Sequence, residues 1–266
     1  MNPITEYYNS YDEDGRLMSR HGQVEYLTTM WYIEKYLFPG ARILDIGAGT
    51  GRYSLALAKL GYVVDAVELV EHNIDIFKQN TPPGASVTVR RGDALELSGF
   101  SDETYDLTLI LGPLYHMYTQ TDKLRVIREA LRVTKPGGVL FAAYCVSDAS
   151  ILQYGFIGGR IKELMRPNDF CGLAMPGFKA YSTPKSLFEI IRREDIDELM
   201  RGFDVERLHY VATDLYTNHM REMVDAMDDE TFALYLDYHF FLCERPDMAG
   251  LTHHSLDIFR KPKQVL

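Results

Sequence analysis

Three carboxylates stand where short apolar segments end, and their types and spacing suit recognition of a nucleoside. Asp45 closes the apolar segment 42–46, Glu68 closes the segment 62–68, and Asp93 follows the segment 86–90. A carboxylate in the position of Glu68 can accept hydrogen bonds from both hydroxyls of a ribose. One in the position of Asp93 can accept from the amino group of an adenine. The structural alternatives are a solvated strand-end charge for Glu68 and a helix N-cap for Asp93.

A glycine-rich turn follows the first of these segments, in the sequence Ile43-Leu44-Asp45-Ile46-Gly47-Ala48-Gly49-Thr50-Gly51. Glycines let a backbone approach a ligand closely and leave its amides accessible. Arg52 stands where the dinucleotide pattern G-x-G-x-x-G has its third glycine, so binding of a pyrophosphate is disfavoured. The adjacent acid Asp45 favours a cationic group. The turn therefore predicts a nucleoside ligand that carries positive charge and no phosphates.

Alternating strand and helix patterns must position these residues. Strands are predicted at 42–46, 62–68, 86–90, 105–111 and 139–145, and helices at 23–38, 53–60, 72–79 and 121–132. Apolar strands that alternate with helices predict a parallel sheet covered on both faces. Beyond about residue 148 we expect helices at 151–165, 186–200, 215–227 and 231–243, a loop at 166–184, and strands at 203–212 and 252–260.

On these motifs the sequence resembles the class I S-adenosylmethionine-dependent methyltransferases. The resemblance spans about residues 35–145 and includes the glycine turn, Glu68, Gly92-Asp93-Ala94, Tyr105-Asp106-Leu107 and the turn 131–138. It implies an α/β fold with a seven-stranded, mostly parallel sheet, helices on both faces and helical lid insertions. It also implies an antiparallel last strand, supplied by 252–260. The expected division is an N-terminal helical cap (1–40), a cofactor-binding core (41–147), and the rest of the sheet with its lid (148–266).

The same resemblance implies S-adenosylmethionine as cofactor and S-adenosylhomocysteine as product. Arg16, in the N-terminal segment, could neutralise the cofactor's carboxylate; the alternative is that this segment is only a helix packed by aromatic residues. The full set of expected cofactor-binding residues is Arg16, Asp45, Gly47, Ala48, Gly49, Gly51, Arg52, Glu68, Leu69, Asp93, Ala94, Leu111 and Gly112.

The loop after the fourth strand bears on the methyl acceptor. It contains Gly112-Pro113-Leu114-Tyr115-His116, whereas enzymes that methylate amino groups of nucleic acids tend to have [Asp/Asn]-Pro-Pro-[Tyr/Phe] here. His116 has an ordinary pKa of about 6.5 and could act as a base, and we take Tyr115 and His116 as the candidate catalytic pair. The alternative is that His116 only holds the loop or the cofactor.

The composition of the chain limits the classes of partner and the cellular setting that we expect. The net charge is −10 with no run rich in Lys or Arg, which disfavours nucleic acid. The longest apolar run has eight residues, too few to span a membrane, and no secretory signal is predicted. Three widely separated cysteines favour a reducing cytoplasm. No metal site is expected, because no H-x-x-x-H pattern occurs and the neighbours His253 and His254 should point to opposite faces of a strand.

The predicted function is methyl transfer to a small molecule by a monomer or homodimer. Aromatic residues of the lid predict an apolar or aromatic acceptor; they are Tyr154, Phe156, Phe170, Phe178, Tyr181, Tyr216, Tyr235, Tyr238, Phe240 and Phe241. Three alternatives stay open: a macromolecular methyltransferase acting on protein or tRNA, a non-catalytic S-adenosylmethionine-binding protein, and a nicotinamide oxidoreductase.

Overall fold

A computed structural model describes residues 3–11, 13, 15–165, 173–174, 178 and 181–263. The strands are β1 (Arg42–Ile46), β2 (Val63–Glu68), β3 (Val87–Arg91), β4 (Tyr105–Ile110), β5 (Thr134–Val146), β6 (Leu173–Ala174), β7 (Tyr181–Ser182), β8 (Ile190–Ile191), β9 (Glu206–Ala212) and β10 (His254–Arg260). The α-helices are α1 (Pro3–Tyr8), α2 (Arg20–Glu34), α3 (Arg52–Lys59), α4 (Glu71–Asn80), α5 (Gln120–Val133), α6 (Ser147–Ser150), α7 (Ile161–Leu164), α8 (Arg193–Met200), α9 (Arg221–Asp225) and α10 (Asp229–Leu242).

Eight of the described strands form one sheet. Its order is β3-β2-β1-β4-β5-β10-β9, and β8 pairs with the end of β5. Only β10 runs opposite to its neighbours, because it is antiparallel to both β5 and β9. The expected mostly parallel sheet with an antiparallel last strand is confirmed, but it has eight strands rather than the expected seven, because β8 adds to β5. The order reverses between β1 and β4, and open α/β sheets bind ligands at the carboxyl ends of the strands beside such a switch point.

Both faces of the sheet are buried. Ile43 belongs to one apolar cluster with Tyr32 and Ile33 of α2, while the next residue, Leu44, belongs to another cluster with Val126 and other residues of α5. Successive residues of a strand point to opposite faces, so a run without polar alternation indicates helices on both sides. Among the described residues, no helix is both long enough and apolar enough to cross a membrane.

The predicted helix at 186–200 is wrong in its first half. Ile190–Ile191 form β8, which pairs with Cys145 and Val146 of β5, and α8 begins only at Arg193. The reason is a tertiary one: β4 pairs with β5 only as far as Ala142, so the end of β5 has a free edge on that side. Pairing with that edge overrides a helical pattern in the local sequence.

Two further predicted helices are interrupted. The segment 151–165 begins as a π-helix (Ile151–Ile157), turns at Gly158 and Gly159, and ends in the short α7. The segment 215–227 splits into a 3₁₀-helix (Thr217–Met220) and α9. Glycine at positive φ stops a helix. The final strand starts at His254 rather than at residue 252, and the predicted loop at 166–184 falls mostly outside the described residues.

Candidate active site

The glycine turn after β1 is held tightly from two directions. The amides of Gly47 and Ala48 donate to the carbonyl of Val67 in β2, at 2.8 and 3.1 Å. Gly47 has φ +73°, and a Cβ there would lie 2.5 Å from Cγ of Pro113. Only glycine fits such a position without displacing its neighbour. The turn therefore brings the chain after β1 against the loop after β4.

Glu68, at the end of β2, is buried and bound to backbone. Its Oε2 accepts from the amide of Gly49 at 2.9 Å, and its Oε1 accepts from the amide of Val70 at 2.9 Å. Asn73 adds a longer contact of 3.4 Å from its Nδ2. Burial raises the pKa of Glu68, and these donors oppose the rise. The carboxylate thus joins the glycine turn to the start of α4.

Asp45 and Asp93 occupy the neighbouring strand ends. Asp45 is 2% exposed and accepts from the hydroxyl of Ser54 at 2.6 Å. Burial raises the pKa of Asp45 to about 6. Asp93 accepts from the amide of Leu95 at 2.9 Å within a tight turn that no helix follows, so the N-cap alternative is wrong. Three carboxylates from successive strands therefore meet at one edge of the sheet.

A cavity of about 120 Å³ lies at this edge, beside the switch point. Twelve of the thirteen expected cofactor residues line it, together with Tyr115 and His116. The exception is Gly51, whose φ of +88° and approach to the ring of Phe77 serve the packing of α3. Sequence reasoning missed the other lining residues, which are Ile4, Tyr8, Glu13, Leu17, Thr50, Tyr53, Val67, Asn73, Gly92, Pro113 and Met117.

Two buried polar atoms at this cavity have no hydrogen-bond partner within the described chain. They are Oδ1 of Asn73 and Nε of Arg52, and both residues line the cavity. Buried polar atoms in native proteins are nearly always paired, and an orphan at a cavity wall indicates a place for a polar ligand. With the glycine turn and the three carboxylates, the donor set suits a nucleoside that carries a cationic group.

Arg16 lines the cavity, but its guanidinium group is already paired with carboxylates of the protein. Its Nη1 donates to Glu25 at 2.8 Å, and its Nε donates to Glu13 at 3.2 Å. The charge expected to neutralise a ligand carboxylate is thus balanced within the chain. Arg52 is oriented by the carbonyl of Leu17 at 3.4 Å and by the ring of Tyr26, whose centroid lies 4.7 Å away.

His116 is buried and holds two other segments. Its Nδ1 lies 2.9 Å from the carbonyl of Leu187, and its Nε2 lies 3.1 Å from the hydroxyl of Tyr8. Burial lowers the pKa of His116 to about 4, so the ring is neutral at pH 7. A carbonyl can only accept, so Nδ1 carries the proton and Nε2 accepts from Tyr8. Tyr115 donates to the carbonyl of Leu111 at 3.1 Å.

A second cavity of about 450 Å³ adjoins the first. Tyr8, Glu13, Arg16 and Tyr115 line both cavities and form what we call the shared wall. His116 lines only the first cavity. The second is lined further by aromatic side chains, namely Tyr7, Tyr11, Tyr154 and Phe188.

The aromatic residues expected to form the acceptor pocket mostly do not do so. Among those whose side chains the structure describes, only Tyr154 lines the second cavity. Four others point into solvent, namely Phe156, Phe178, Tyr238 and Phe241, and Phe240 packs on Trp31. Phe170 and the side chain of Tyr181 lie outside the described residues. The N-terminal segment supplies three of the six tyrosine and phenylalanine rings that line the second cavity, namely Tyr7, Tyr8 and Tyr11.

An ion-pair cluster lies behind the second cavity. Nδ1 of His254 is 2.8 Å from Oδ2 of Asp214 and 3.4 Å from Oε2 of Glu25. Burial opposes a charge on His254, yet the two carboxylates hold its pKa well above the ordinary value. These three residues are the one group within the described chain whose spacing could hold a metal ion. A protonated imidazole is not a metal ligand, so the cluster fits an ion-pair network better.

The sheet order and the nucleoside-type cavity at its switch point define a Rossmann-like α/β protein. Residues 44–142 match the family described as "Methyltransferase domain". That match covers less than half of the chain, and the fold is that of solved S-adenosylmethionine-dependent methyltransferases.

Named relatives point the same way. A ubiquinone biosynthesis O-methyltransferase of Hahella chejuensis is 26% identical over 201 residues, which cover 74% of this chain and 81% of that protein. The protein of the same name in Methylocella silvestris is 35% identical over 143 residues, or 53% of this chain and 54% of that one. A crystal structure of a methyltransferase from Methanosarcina mazei superposes with a TM-score of 0.58 at 19% identity, covering 88% of this chain and 98% of that one.

Proposed function

We propose that this enzyme binds S-adenosylmethionine in the first cavity and transfers its methyl group to a small molecule held in the second. The observation that carries the proposal is the shared wall, because it makes the two cavities neighbours. A nucleophile in the second cavity then lies next to the first. Holding two reactants in contact is the main contribution an enzyme makes to such a displacement.

The residues of the first cavity have distinct roles in this proposal. Glu68 accepts from the ribose hydroxyls, Asp93 accepts from the adenine amino group, and Asp45 faces the cationic part of the cofactor. Asn73 joins Glu68 at the ribose, since its Oδ1 is buried with no hydrogen-bond partner in the described part of the chain. When bound, S-adenosylmethionine supplies an already activated methyl group.

The shared wall positions the acceptor and excludes water. Tyr8 and Tyr115 line both cavities, and burial keeps both hydroxyls protonated by raising each pKa well above its ordinary value. His116 does not line the second cavity, so we assign it an indirect role: it holds Tyr8 and can receive a proton through that hydroxyl. Tyr115 is the catalytic candidate that touches both ligands.

The comparisons support a small-molecule acceptor. The relatives above are named for ubiquinone biosynthesis, and a relative from Synechocystis is named 2-methyl-6-phytyl-1,4-hydroquinone methyltransferase. From these names we infer only that the acceptor of this chain is a small molecule, and not which molecule it is. The absence of nucleic acid, a cytoplasmic location and a monomeric or homodimeric state stay predictions, as does the three-part division of the chain.

Titration calorimetry with S-adenosylmethionine, S-adenosylhomocysteine and NAD tests the cofactor assignment. We expect micromolar binding of the first two and none of NAD. Glu68→Gln keeps the shape of the side chain but removes its charge, and should weaken binding by about tenfold, because a hydrogen bond to a charged group contributes roughly 1.5–3 kcal/mol.

Glu71→Gln, one turn away on the exposed start of α4, is the matched control and should leave the affinity unchanged. Tight binding of NAD, or equal affinity for S-adenosylmethionine in the wild type and in Glu68→Gln, would contradict the assignment. Release of S-adenosylhomocysteine with a panel of phenols, amines and thiols, followed by mass spectrometry, tests the transfer itself.

A further inference from the structure

The second cavity has a charge opposite to that of the chain. The protein carries a net charge of −10. Yet the described residues that line this cavity include four Lys and Arg side chains and a single carboxylate; they are Arg16, Arg160, Lys185, Arg221 and Glu13. A low-dielectric recess lined by one sign of charge attracts ligands of the other sign.

Two of these cations are available to a ligand. Arg16 is paired with Glu13 and Glu25, and Arg160 is paired with Glu163. Lys185 and Arg221, by contrast, have no carboxylate within ion-pairing distance among the described residues; Arg221 donates only to the carbonyl of Asn218, at 3.3 Å. Unpaired guanidinium and ammonium groups are the donors that proteins use to bind carboxylates and phosphates.

The position of these two cations gives a ligand a direction. Lys185 and Arg221 are exposed and line the second cavity but not the first, so they lie at the solvent side of the recess. The shared wall, where the methyl group would be delivered, is the part of the lining that borders the first cavity. A ligand anchored through an anionic group at Lys185 and Arg221 therefore turns its other end toward Tyr8 and Tyr115.

The lining of the second cavity also offers surfaces that suit a flat ring. The rings of Tyr7 and Tyr11 stack with centroids 4.8 Å apart, and Phe188 meets Tyr7 edge-on at 5.9 Å. Aromatic groups stack or pack edge-to-face on such surfaces.

We propose that the methyl acceptor is a small aromatic anion, an inference that rests on the proposed function. Its carboxylate or phosphate group binds Lys185 and Arg221, its ring packs among the tyrosines, and its nucleophilic group meets the shared wall. The reaction forms a bond from that nucleophile to the methyl carbon and breaks the bond from the methyl carbon to sulfur. The electron pair of the broken bond stays on sulfur, which gives S-adenosylhomocysteine, and the nucleophile's proton passes through the Tyr8 hydroxyl to Nε2 of His116. An acceptor of this kind differs from the wholly apolar one that the lid aromatics suggest.

Matched acceptors test the anionic group. Hydroxybenzoates, hydroxyphenyl phosphates and the methyl esters of the hydroxybenzoates are compared with the full chain at 50 mM and 500 mM salt. We expect kcat/KM for at least one acid to exceed that of its ester by about tenfold at low salt, and the ratio to fall at high salt, where exposed charges are screened. The phosphates show which anionic group the site prefers.

Two substitutions locate the anchor. Lys185→Gln and Arg221→Gln should each lower kcat/KM for the acid by about fivefold, through KM, and leave the ester and the affinity for S-adenosylhomocysteine unchanged. The matched controls are Lys78→Gln and Arg128→Gln, exposed on α4 and α5. Esters that equal or exceed their acids, or variants that slow both alike, would overturn the proposal.

A failure of the proposed function gives a different result. If S-adenosylhomocysteine binds but no acceptor turns over, binding of the hydroxybenzoates to that complex is measured by calorimetry. Binding that Lys185→Gln and Arg221→Gln weaken supports the anionic site even when transfer is absent, whereas no binding of any acid contradicts it.

Discussion

The two adjoining cavities differ in charge and in the way the chain builds them. The first is lined by four carboxylates and two arginines, and the second by one carboxylate and four Lys and Arg side chains. The first takes its carboxylates largely from the ends of parallel strands, where the backbone fixes them and burial raises the pKa of Asp45 and Glu68. The second draws side chains from the N-terminal segment and from turns around the π-helix, β8 and α9. A cationic cofactor and an anionic acceptor suit this difference.

The largest effect is expected from Gly47→Ala, which disrupts the first cavity alone. The new Cβ would lie 2.5 Å from Cγ of Pro113, on a residue at φ +73°. Left-handed strain costs about 1–2 kcal/mol and overpacking about 1–3 kcal/mol, so stability should fall by about 2–5 kcal/mol. Denaturant unfolding and calorimetry with S-adenosylhomocysteine measure the two consequences.

Gly40→Ala provides the control for that substitution. Gly40 has a φ of +84°, but a Cβ there would meet nothing within 4 Å. It should therefore show the backbone strain of about 1–2 kcal/mol without the clash, and no loss of affinity. Equal losses of stability in the two variants would mean that the contact between the glycine turn and Pro113 contributes nothing.

Asp45→Asn tests the acidic character of the first cavity, with the next largest effect. The pKa of Asp45 is raised to about 6, above its unfolded value of about 3.9, so the charged form is disfavoured in the folded protein. Ionisation of Asp45 destabilises the fold above pH 6, and this penalty disappears as the pH falls below the unfolded pKa. A difference of about two pH units corresponds to an upper bound of about 3 kcal/mol.

We therefore expect Asp45→Asn to raise the stability of the ligand-free protein at pH 7.5, and to lose this advantage near pH 4. At pH 7.5 it should also weaken binding of the cationic S-adenosylmethionine more than binding of S-adenosylhomocysteine, which lacks the sulfonium charge. Unfolding at several pH values, with calorimetry for both ligands, gives the answer. If the variant is less stable than the wild type at pH 7.5, the ionised Asp45 does not destabilise the folded protein, and this explanation is refuted.

The difference between the cavities also explains what the sequence could predict. Asp45, Glu68 and Asp93 follow local patterns of apolar residues, and the parallel sheet brings successive strand ends together. Their convergence was therefore predictable, and so was the position of the antiparallel last strand. Asn73 could have been found too, because it lies in the first turn of the helix that follows Glu68.

The second cavity was not predictable in this way. Tyr8, Arg160, Lys185 and Arg221 come from four separate segments, and nothing local to any of them indicates that they share a recess. The helix expected at 186–200 shows the same limit, because β8 forms where the longer β5 leaves an unpaired edge. Aromatic residues such as Phe241 were wrongly predicted to line the acceptor pocket for a related reason. The residue type alone does not show whether a side chain faces the cavity or the solvent.

The smallest effect is expected at the shared wall, from Tyr8→Phe. The substitution keeps the ring in both cavities and removes the hydroxyl that donates to Nε2 of His116. A neutral hydrogen bond contributes about 0.5–1.5 kcal/mol, so kcat should fall by roughly two- to tenfold if the acceptor's proton passes through this hydroxyl.

Tyr11→Phe is the matched control, because Tyr11 lines the second cavity but not the first. It should change KM for the acceptor and not kcat, and neither variant should alter affinity for S-adenosylhomocysteine by more than about twofold. Steady-state kinetics with an acceptor that the enzyme methylates distinguishes the effect of Tyr8→Phe on kcat from the effect of Tyr11→Phe on KM. If Tyr8→Phe changes only KM, as Tyr11→Phe does, the proposed route of the proton to His116 is refuted.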